Sequence, residues 1–375
     1  MEAPGSEEEA AALVRAAHDA GEPLAIVGGD TRSGLGRPVQ AARTVSSRGL
    51  TGITAYEPAE MVLSARAGTG MNEIEAALRE NRQRLAFEPI DHRTLYGTRG
   101  EPTIGGVAAT NASGSRRFQA GAARDSLLGV RFVNGRGEIV RGGGRVMKNV
   151  TGLDLPKIMA GSFGTLGLLT EVTFKVAPVP ETQTTLMWRN IEPERAVELL
   201  AAAMATTTEP SGAAWASGSA LLRLEGLSAS VQDRTKRLEA ALSSFGASEI
   251  LEDEESAALW RDVTDVAAFP PAEGGNVWRI SVAPLDGPKV AAGIEGDAVL
   301  DWQGGLVWLR TDGEPEAVRQ ALAPFGGHAT LARADETVRS AVPVFQPQDK
   351  ALTALEKRLR GAFDPKGIMN PGRMG

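Results

Sequence analysis

Three glycine-rich turns carry the residues in this sequence best suited to chemistry. The first, Gly28–Gly36, reads GGDTRSGLG and follows a short apolar run, Leu24–Val27. Successive small residues let neighbouring backbone N–H groups converge into a nest for an anion. Arg32 and the hydroxyls of Thr31 and Ser33 are further donors, with Asp30 beside them. Arg37-Pro38-Val39 does not continue as a helix, so this is not a dinucleotide fingerprint, and no Gly-Lys-Ser/Thr makes it a phosphate loop. Taken alone, a surface loop is the other reading. The second turn, Gly97–Gly114, is GTRGEPTIGGVAATNASG. Pro102-Thr103 presets an extended lead-in, and Gly105-Gly106 permits a close approach. Asn111, Ser113 and Gly114 offer small hydrogen-bonding groups, and Arg116, Arg117 and Arg124 follow. The third lies within Lys148–Lys175, where Gly161, Gly164 and Gly167 recur every third residue before Leu168-Leu169-Thr170. A flat ligand or a second backbone can approach there, although a plain helix–turn–strand corner has the same pattern.

Acid–base chemistry has few carriers. There are three histidines, His18, His92 and His328, and no cysteine. The lack of cysteine excludes disulfides, thiolate metal sites and cysteine-ligated iron–sulfur clusters in this chain. His92, in Asp91-His92-Arg93, is either a base or a solvated loop histidine, and His328 either a base or part of the packing.

The elements that must position these turns can be read in order. Ser6 and Glu9 form a capping box for a helix to Ala20, which Gly21 stops. Leu24–Val27, Arg43–Ser47, Gly52–Tyr56 and Met61–Ala67 read as strands, and Met71–Asn81 as a helix burying Ile74, Ala77 and Leu78. Leu127–Val133, the Asn134-Gly135 turn and Glu138–Arg141 make a hairpin. Asp154 caps a short helix with Pro156 in its first turn, and Leu168–Val176 is a strand entering a packed sheet. Pro178 and Pro180 mark a linker. Beyond it come strands at Thr184–Trp188, Ala220–Leu224, Val277–Val282, Ala298–Trp302 and Leu306–Arg310. They alternate with helices at Pro193–Ala205, Ala229–Phe245, Glu254–Val266 and Glu314–Phe325, an α+β layer of its own. Five of six tryptophans fall between Trp215 and Trp308, as cover for a cleft or as core. Gln348–Ala362 is a helix with Leu352, Leu355 and Leu359 on one face. The tail FDPKGIMNPGRMG, Phe363–Gly375, is turn chemistry with Phe363, Ile368 and Met369 as apolar anchors, so it docks.

The whole chain sets bounds on these parts. Its 375 residues suggest two or three domains, and 42% hydrophobic with 23% charged residues suits a globular protein. A net charge of −7 without a basic tract argues against nucleic acid. No apolar run of about 18 residues offers a membrane span. The acidic, amphipathic N-terminal stretch is the opposite of a signal peptide.

The order GGDTRSGLG, TIGGVAATNASG, GLDLPKIMAGSFGTLGLLTEVTFKV and FDPKGIMNPGR resembles the FAD-binding family of vanillyl-alcohol oxidase and p-cresol methylhydroxylase (PCMH) type. Arg116–Val176 is most similar to the FAD-binding E subunits of bacterial glycolate oxidases. The similarity covers about residues 20 to 178 and the tail, and the middle only loosely. It implies an α+β fold: a two-part PCMH-type FAD domain over 1–178 (about 1–56 and 57–178), an α+β cap over 179–334, and a C-terminal segment, 335–375, returning to the flavin.

Carried onto this chain, the resemblance implies that Gly28, Gly29, Thr31 and Ser33 cradle the pyrophosphate, with Asp30 and Arg32 in the same turn. Thr103, Gly105, Gly106, Asn111, Ser113 and Gly114 line pyrophosphate and flavin, and Arg124 lies near the ring as a candidate catalytic group beside His92. Gly164, Thr165, Gly167, Leu169 and Thr170 lie near the phosphates and adenine, and Asn370 and Arg373 reach the flavin edge. A fixed cation near N1 raises the potential of a flavin. Arg373 is the candidate, unless it pairs with a surface carboxylate.

Departures from the family pattern shape the function expected. Without cysteine, and with no histidine in the first turn, FAD is non-covalent. The histidine-rich metal motif of 2-hydroxy-acid members is reduced to Gly327-His328-Ala329-Thr330, so no metal is expected. The chain is then an FAD-binding subunit rather than the main site of glycolate oxidation. Its partners are a larger catalytic flavoprotein and an iron–sulfur subunit, its substrate is a small 2-hydroxy acid, and it is cytoplasmic or peripheral at the inner membrane face through those partners. A self-sufficient oxidoreductase and a non-catalytic flavin-bearing assembly subunit are the other readings.

Overall fold

The computed structural model describes residues 1–145 and 152–375. The first residues of the Lys148–Lys175 stretch, Lys148 to Thr151, lie outside the described residues.

The chain opens with the helix Glu7–Ala20. The Ser6 hydroxyl accepts the Glu9 N–H at 3.1 Å, and Gly21 closes the helix at φ +69°. Its buried face is made of small residues, Ala10, Ala11, Val14 and Ala17. These sit on Leu24, Val45, Val133, Leu168, Ile368 and Met369, so one helix seals the seam between the first strands, the main sheet and the tail.

Strands β1 (Leu24–Val27) and β2 (Arg43–Ser46) form a parallel pair. The second sheet holds β3 (Ile53–Glu57), β4 (Val62–Arg66), β5 (Gln83–Leu85), β6 (Leu127–Val133), β7 (Ile139–Gly143) and β8 (Leu168–Pro178). Its order is β3-β4-β8-β6-β7, with β5 on the far end of β8, all antiparallel. The eleven-residue β8 is therefore the central strand, and its apolar run is buried on both faces. β3 pairs with β4, so residues 53–57 share this sheet with the strands that follow them.

The third sheet is the cap: β9 (Thr182–Trp188), β10 (Gly212–Ala216), β11 (Ser219–Gly226), β12 (Glu249–Glu252), β13 (Asn276–Ser281), β14 (Asp297–Asp301), β15 (Leu306–Thr311) and β16 (His328–Arg333). Its order is β12-β9-β11-β10-β14-β15-β13-β16. The helices Pro193–Met204, Ser228–Ala241 and Pro315–Leu322 cover its outer face through cores around Leu199 and Leu238 and around Trp278 and Val318. Val344 is 1% exposed and packs into the second of these.

Two expectations change. The second glycine turn contains a helix, Ile104–Thr110, which Thr103 caps by accepting the Gly106 N–H. Its glycines and the β-branched Val107 and Thr110 give little helical propensity, and packing of Ile104, Val107 and Ala108 into the main core decides the helix. The tail helix runs Lys350–Phe363, but Leu352 and Leu355 stay 46% and 53% exposed. Only Leu359 and Phe363 reach the main core, because the helix meets the sheet at its last turn.

Candidate active site

A single cleft gathers parts from four places in the sequence. The end of β1, the turn through Ser33, the start of the helix Ile104–Thr110, the corner Phe163–Leu169 and the tail at Asn370 and Arg373 all line it. Glycine is required where these parts touch. A Cβ on Gly28 would collide with the Thr103 hydroxyl, and one on Gly29 with the Glu101 carbonyl. Gly164, at φ +71°, would place a Cβ 2.7 Å from the Asn370 side-chain amide. Asn370 then laces the walls together: its Oδ1 accepts the Ile26 N–H at 2.7 Å and its Nδ2 donates to the Phe163 carbonyl at 2.7 Å. The backbone joins in, with Leu24 N–H donating to the Ile368 carbonyl and Asn370 N–H to the Leu24 carbonyl. The turn-rich tail is therefore docked as an extra segment beside β1.

Arg32 sits at the heart of the cleft and is 8% exposed. Its Nε donates to His92 Nδ1 at 2.9 Å and its Nη2 to the Ile90 carbonyl at 2.9 Å. Its Nη1 is buried with no partner among the described residues, and it lies 3.6 Å from where a Cβ on Gly106 would stand. Burial pulls the guanidinium down to about 10, while Asp91, Tyr96 and Asp265 hold it up, so it is a cation at neutral pH. A buried donor with nothing to donate to costs free energy. A ligand oxygen in the cleft removes that cost.

His92 is neither solvated nor at the cleft surface. It is 4% exposed, stacks on Tyr96 with ring centroids 5.9 Å apart, and accepts from Arg32. Accepting at Nδ1 requires the neutral ring with its proton on Nε2. Burial, and then the Arg32 charge, push it well below the ordinary value of 6.5. Its observed part is to back Arg32. The other candidate catalytic group, Arg124, is exposed, and its backbone N–H donates to Asn111 Oδ1 at 2.9 Å. It is not among the residues lining the cleft.

The remaining expected residues divide in two. Gly28, Gly29, Asp30, Thr31, Arg32, Ser33, Thr103, Gly105, Gly106, Gly164, Gly167, Leu169, Asn370 and Arg373 all face the cleft. Asn111, Ser113, Gly114, Thr165 and Thr170 stand behind it. Asn111 ends the helix at φ +49°, and Ser113 accepts the Ala123 N–H at 2.9 Å. Gly114 N–H donates to the Glu88 carbonyl, Thr165 to the Ser162 carbonyl and Thr170 to Glu7. Arg373 has no carboxylate partner among the described residues. Its Nη2 donates to the Arg32 carbonyl at 3.0 Å, and burial lowers its pKa.

Sequence reading missed the joint that holds the cap on the FAD side. Glu225 of β11 meets Arg84 at 2.6 Å and Arg116 at 2.9 Å, and Glu88 meets Arg223 at 2.9 Å. The arginine charges outweigh burial and hold both carboxyls below the usual range. The available signal was Arg223 and Glu225 alternating with leucine in a strand that reads SALLRLEG. Of the tryptophans, Trp260 and Trp278 are core at 1% and 0% exposure. Trp302 instead donates from Nε1 to the Gly114 carbonyl at 3.1 Å across the joint. Among the described residues, no group of three or more His, Asp or Glu could hold a metal ion.

The lining fits FAD on three counts. Glycine walls, hydroxyls and the free Arg32 donor suit a diphosphate. Ile26, Ala109, Phe163, Leu168 and Leu169 present apolar surface to flat rings. Arg32 and Arg373 supply positive charge without paired carboxylates.

Comparison with known proteins agrees. Residues 2–143 match the family model for an FAD binding domain, and 345–374 that for the C-terminal domain of FAD linked oxidases. Glycolate oxidase subunit GlcE of Escherichia coli (strain K12) is 36% identical over 353 residues, covering 94% of this chain and 92% of that protein. Glycolate oxidase subunit GlcD of Bacillus subtilis (strain 168) is 42% identical over 92 residues, 24% of this chain and 20% of that protein. D-2-hydroxyglutarate dehydrogenase of Xanthomonas citri pv. viticola is 32% identical over 187 residues, 49% and 38% of the two chains. A solved structure of alkyldihydroxyacetonephosphate synthase shares the fold, with a TM-score of 0.68 over 98% of this chain and 75% of that one at 18% identity. With a PCMH-type α+β fold, a cleft that fits FAD and a GlcE relative matched across 94% of this chain, the protein belongs to the FAD-linked oxidases, FAD-dependent oxidoreductases of the glycolate oxidase type.

Proposed function

We propose that this chain is the FAD-bearing subunit of a glycolate oxidase complex. It supports oxidation of glycolate, a small 2-hydroxy acid, to glyoxylate, with the electrons leaving to an acceptor other than oxygen. The observation that carries the reading is the cleft itself, with its glycine walls and the buried Nη1 of Arg32 left without a partner. FAD supplies two-electron redox chemistry when bound. Arg32 offers its free donor to an anionic oxygen, Thr31, Ser33 and Thr103 offer hydroxyls, and Asn370 and Arg373 keep the tail closed over the cleft. His92 keeps Arg32 aimed and stays neutral. Both sit inside the wall, so neither takes the proton of a substrate hydroxyl.

The partners follow from the same reading. The relatives named GlcE and GlcD are subunits, and a chain without cysteine cannot ligate an iron–sulfur cluster through thiolates, so in this reading a separate iron–sulfur subunit carries the electrons onward. The larger catalytic flavoprotein subunit does the main chemistry. No helix among the described residues is long and apolar enough to cross a membrane. We place the chain in the cytoplasm, held at the inner membrane face through its partners. Tagged chain expressed with its genomic neighbours tests this. Co-purification with a larger flavoprotein and an iron–sulfur protein, in a complex that reduces a dye with glycolate, is the expected result. A chain that purifies alone and turns over glycolate at the rate of the full extract overturns it.

A further inference from the structure

Arg117 and Arg279 reach one spot from opposite sides of the joint. Arg117 begins the short helix after the second glycine turn, and Arg279 is central in β13 of the cap sheet. Both guanidinium groups lie over the ring of Trp302, at 4.8 and 5.0 Å from its centroid. Trp302 is held there on purpose. It adopts φ +51°, a costly region for a bulky side chain, with its indole N–H on the Gly114 carbonyl and its backbone N–H on Asp301.

Neither guanidinium has a hydrogen bond or ion pair among the described residues. Burial lowers both, and the charge of Arg117 lowers Arg279 further, to about 10. The charge of Asp125 raises Arg117 and that of Asp301 raises Arg279, but neither acid forms an ion pair with them. Asp301 is buried, accepts from Ser115 at 2.7 Å and from Trp302, and burial pushes it up to about 7. His328, at the rim, is lowered by burial and by both arginines, so it adds no charge at neutral pH. Two half-buried cations held over one ring, with no ion pair among the described residues, repel each other, and stacking on the indole offsets only part of that.

We infer that Arg117, Arg279 and Trp302 form a binding site for a small carboxylate, clamped between the FAD domain and the cap. Two planar forks match the two oxygens of a carboxylate, and the indole face suits a flat group. The site stands on these contacts. That its natural ligand is the carboxylate of a 2-hydroxy acid or its oxo product rests on the function proposed above. Because one arginine comes from each side, occupancy also ties the cap to the FAD domain.

The test is calorimetric titration of flavin-loaded protein with oxalate, which has no carbon-bound hydrogen to lose, and separately with inorganic phosphate. Oxalate binds saturably and more tightly than phosphate. Arg279→Met and Arg117→Met each weaken it about 10- to 100-fold, while Arg279→Lys recovers part of the loss. Flavin content and unfolding temperature serve as controls for folding, and the Arg117 variant, on a surface helix, is the safeguard if the β13 variant misfolds. Wild-type affinity in both variants, absence of oxalate binding, or preference for phosphate overturns the site. Oxalate binding that both variants lose, with bound flavin inert to glycolate even in the complex, leaves the site standing and removes the proposed function instead.

Discussion

Replacing Arg32 with methionine removes a buried cation in the cleft wall whose Nη1 has no partner among the described residues. Arg32 spends Nε on His92 and Nη2 on Ile90, and holds Nη1 in reserve. One charge-assisted hydrogen bond to a ligand oxygen contributes about 1.5–3 kcal/mol. Loss of that bond weakens FAD binding roughly 10- to 150-fold, since about 1.4 kcal/mol is one decade. His92→Phe keeps the ring on Tyr96 but leaves Nε unpaired. It lets the guanidinium swing, for a smaller loss of about tenfold. The pH behaviour follows from His92. Its folded pKa is depressed well below 6.5, so the neutral acceptor persists and FAD affinity stays flat from pH 9 to 6. It falls only when acid is strong enough to protonate a buried ring beside a cation. The assay is quenching of free FAD fluorescence by apoprotein, with unfolding temperature as a check on folding. A folded Arg32→Met protein that binds FAD within threefold of wild type refutes the assignment. So does a wild-type affinity loss centred near pH 6.5.

Three further outcomes can be measured on the same preparations. Glu225→Ala leaves Arg84 without its carboxylate and Arg116 and Arg223 with Glu88 alone, and costs about 3–5 kcal/mol in urea unfolding at pH 7. Glu225 has a depressed folded pKa, so its contribution is present above about pH 4.3 and fades as pH falls through the folded value; an equal gap at very low pH would contradict this. Asp301 is raised to about 7, so its contribution is full below about pH 3.9 and is lost as pH rises through 7. Asp301→Asn should therefore flatten the decline in melting temperature between pH 5 and 8, and parallel profiles would refute the shift. Asn370→Ala breaks the bonds to Ile26 and Phe163, frees the tail to limited proteolysis after the last helix, and speeds FAD release; an unchanged cleavage rate would show the tail is held elsewhere.

Much of this architecture was legible because its signals are local. The helix cap at Ser6, the Asn134-Gly135 turn and the long apolar run of β8 each report on their own few residues. The glycine turns were legible as cradle material for the same reason, and Gly28, Gly29, Gly106 and Gly164 do face one another across the cleft. The failures are failures of distance. Asn111, Ser113 and Gly114 belong to the same turn as Thr103, yet the intervening helix carries them to the far side, where they hold Arg124, Ala123 and Glu88. Nothing local tells a loop histidine from one that Arg32 pins from 60 residues away. Nor does a strand reading LLRLEG say that its two charges meet Glu88 and Arg84 across a domain joint. The exposed leucines of the tail helix misled for the opposite reason: an apolar stripe states which face could pack, and only the contact with the sheet decides how much of it does.

The central claim is that the cleft holds FAD without a covalent bond. The most direct test is a visible spectrum of the purified chain before and after acid precipitation. The account predicts flavin bands in the native protein, about one flavin per chain, and all of the colour in the supernatant after precipitation. A colourless protein that regains no bands with added FAD, or flavin that stays in the pellet, would contradict it.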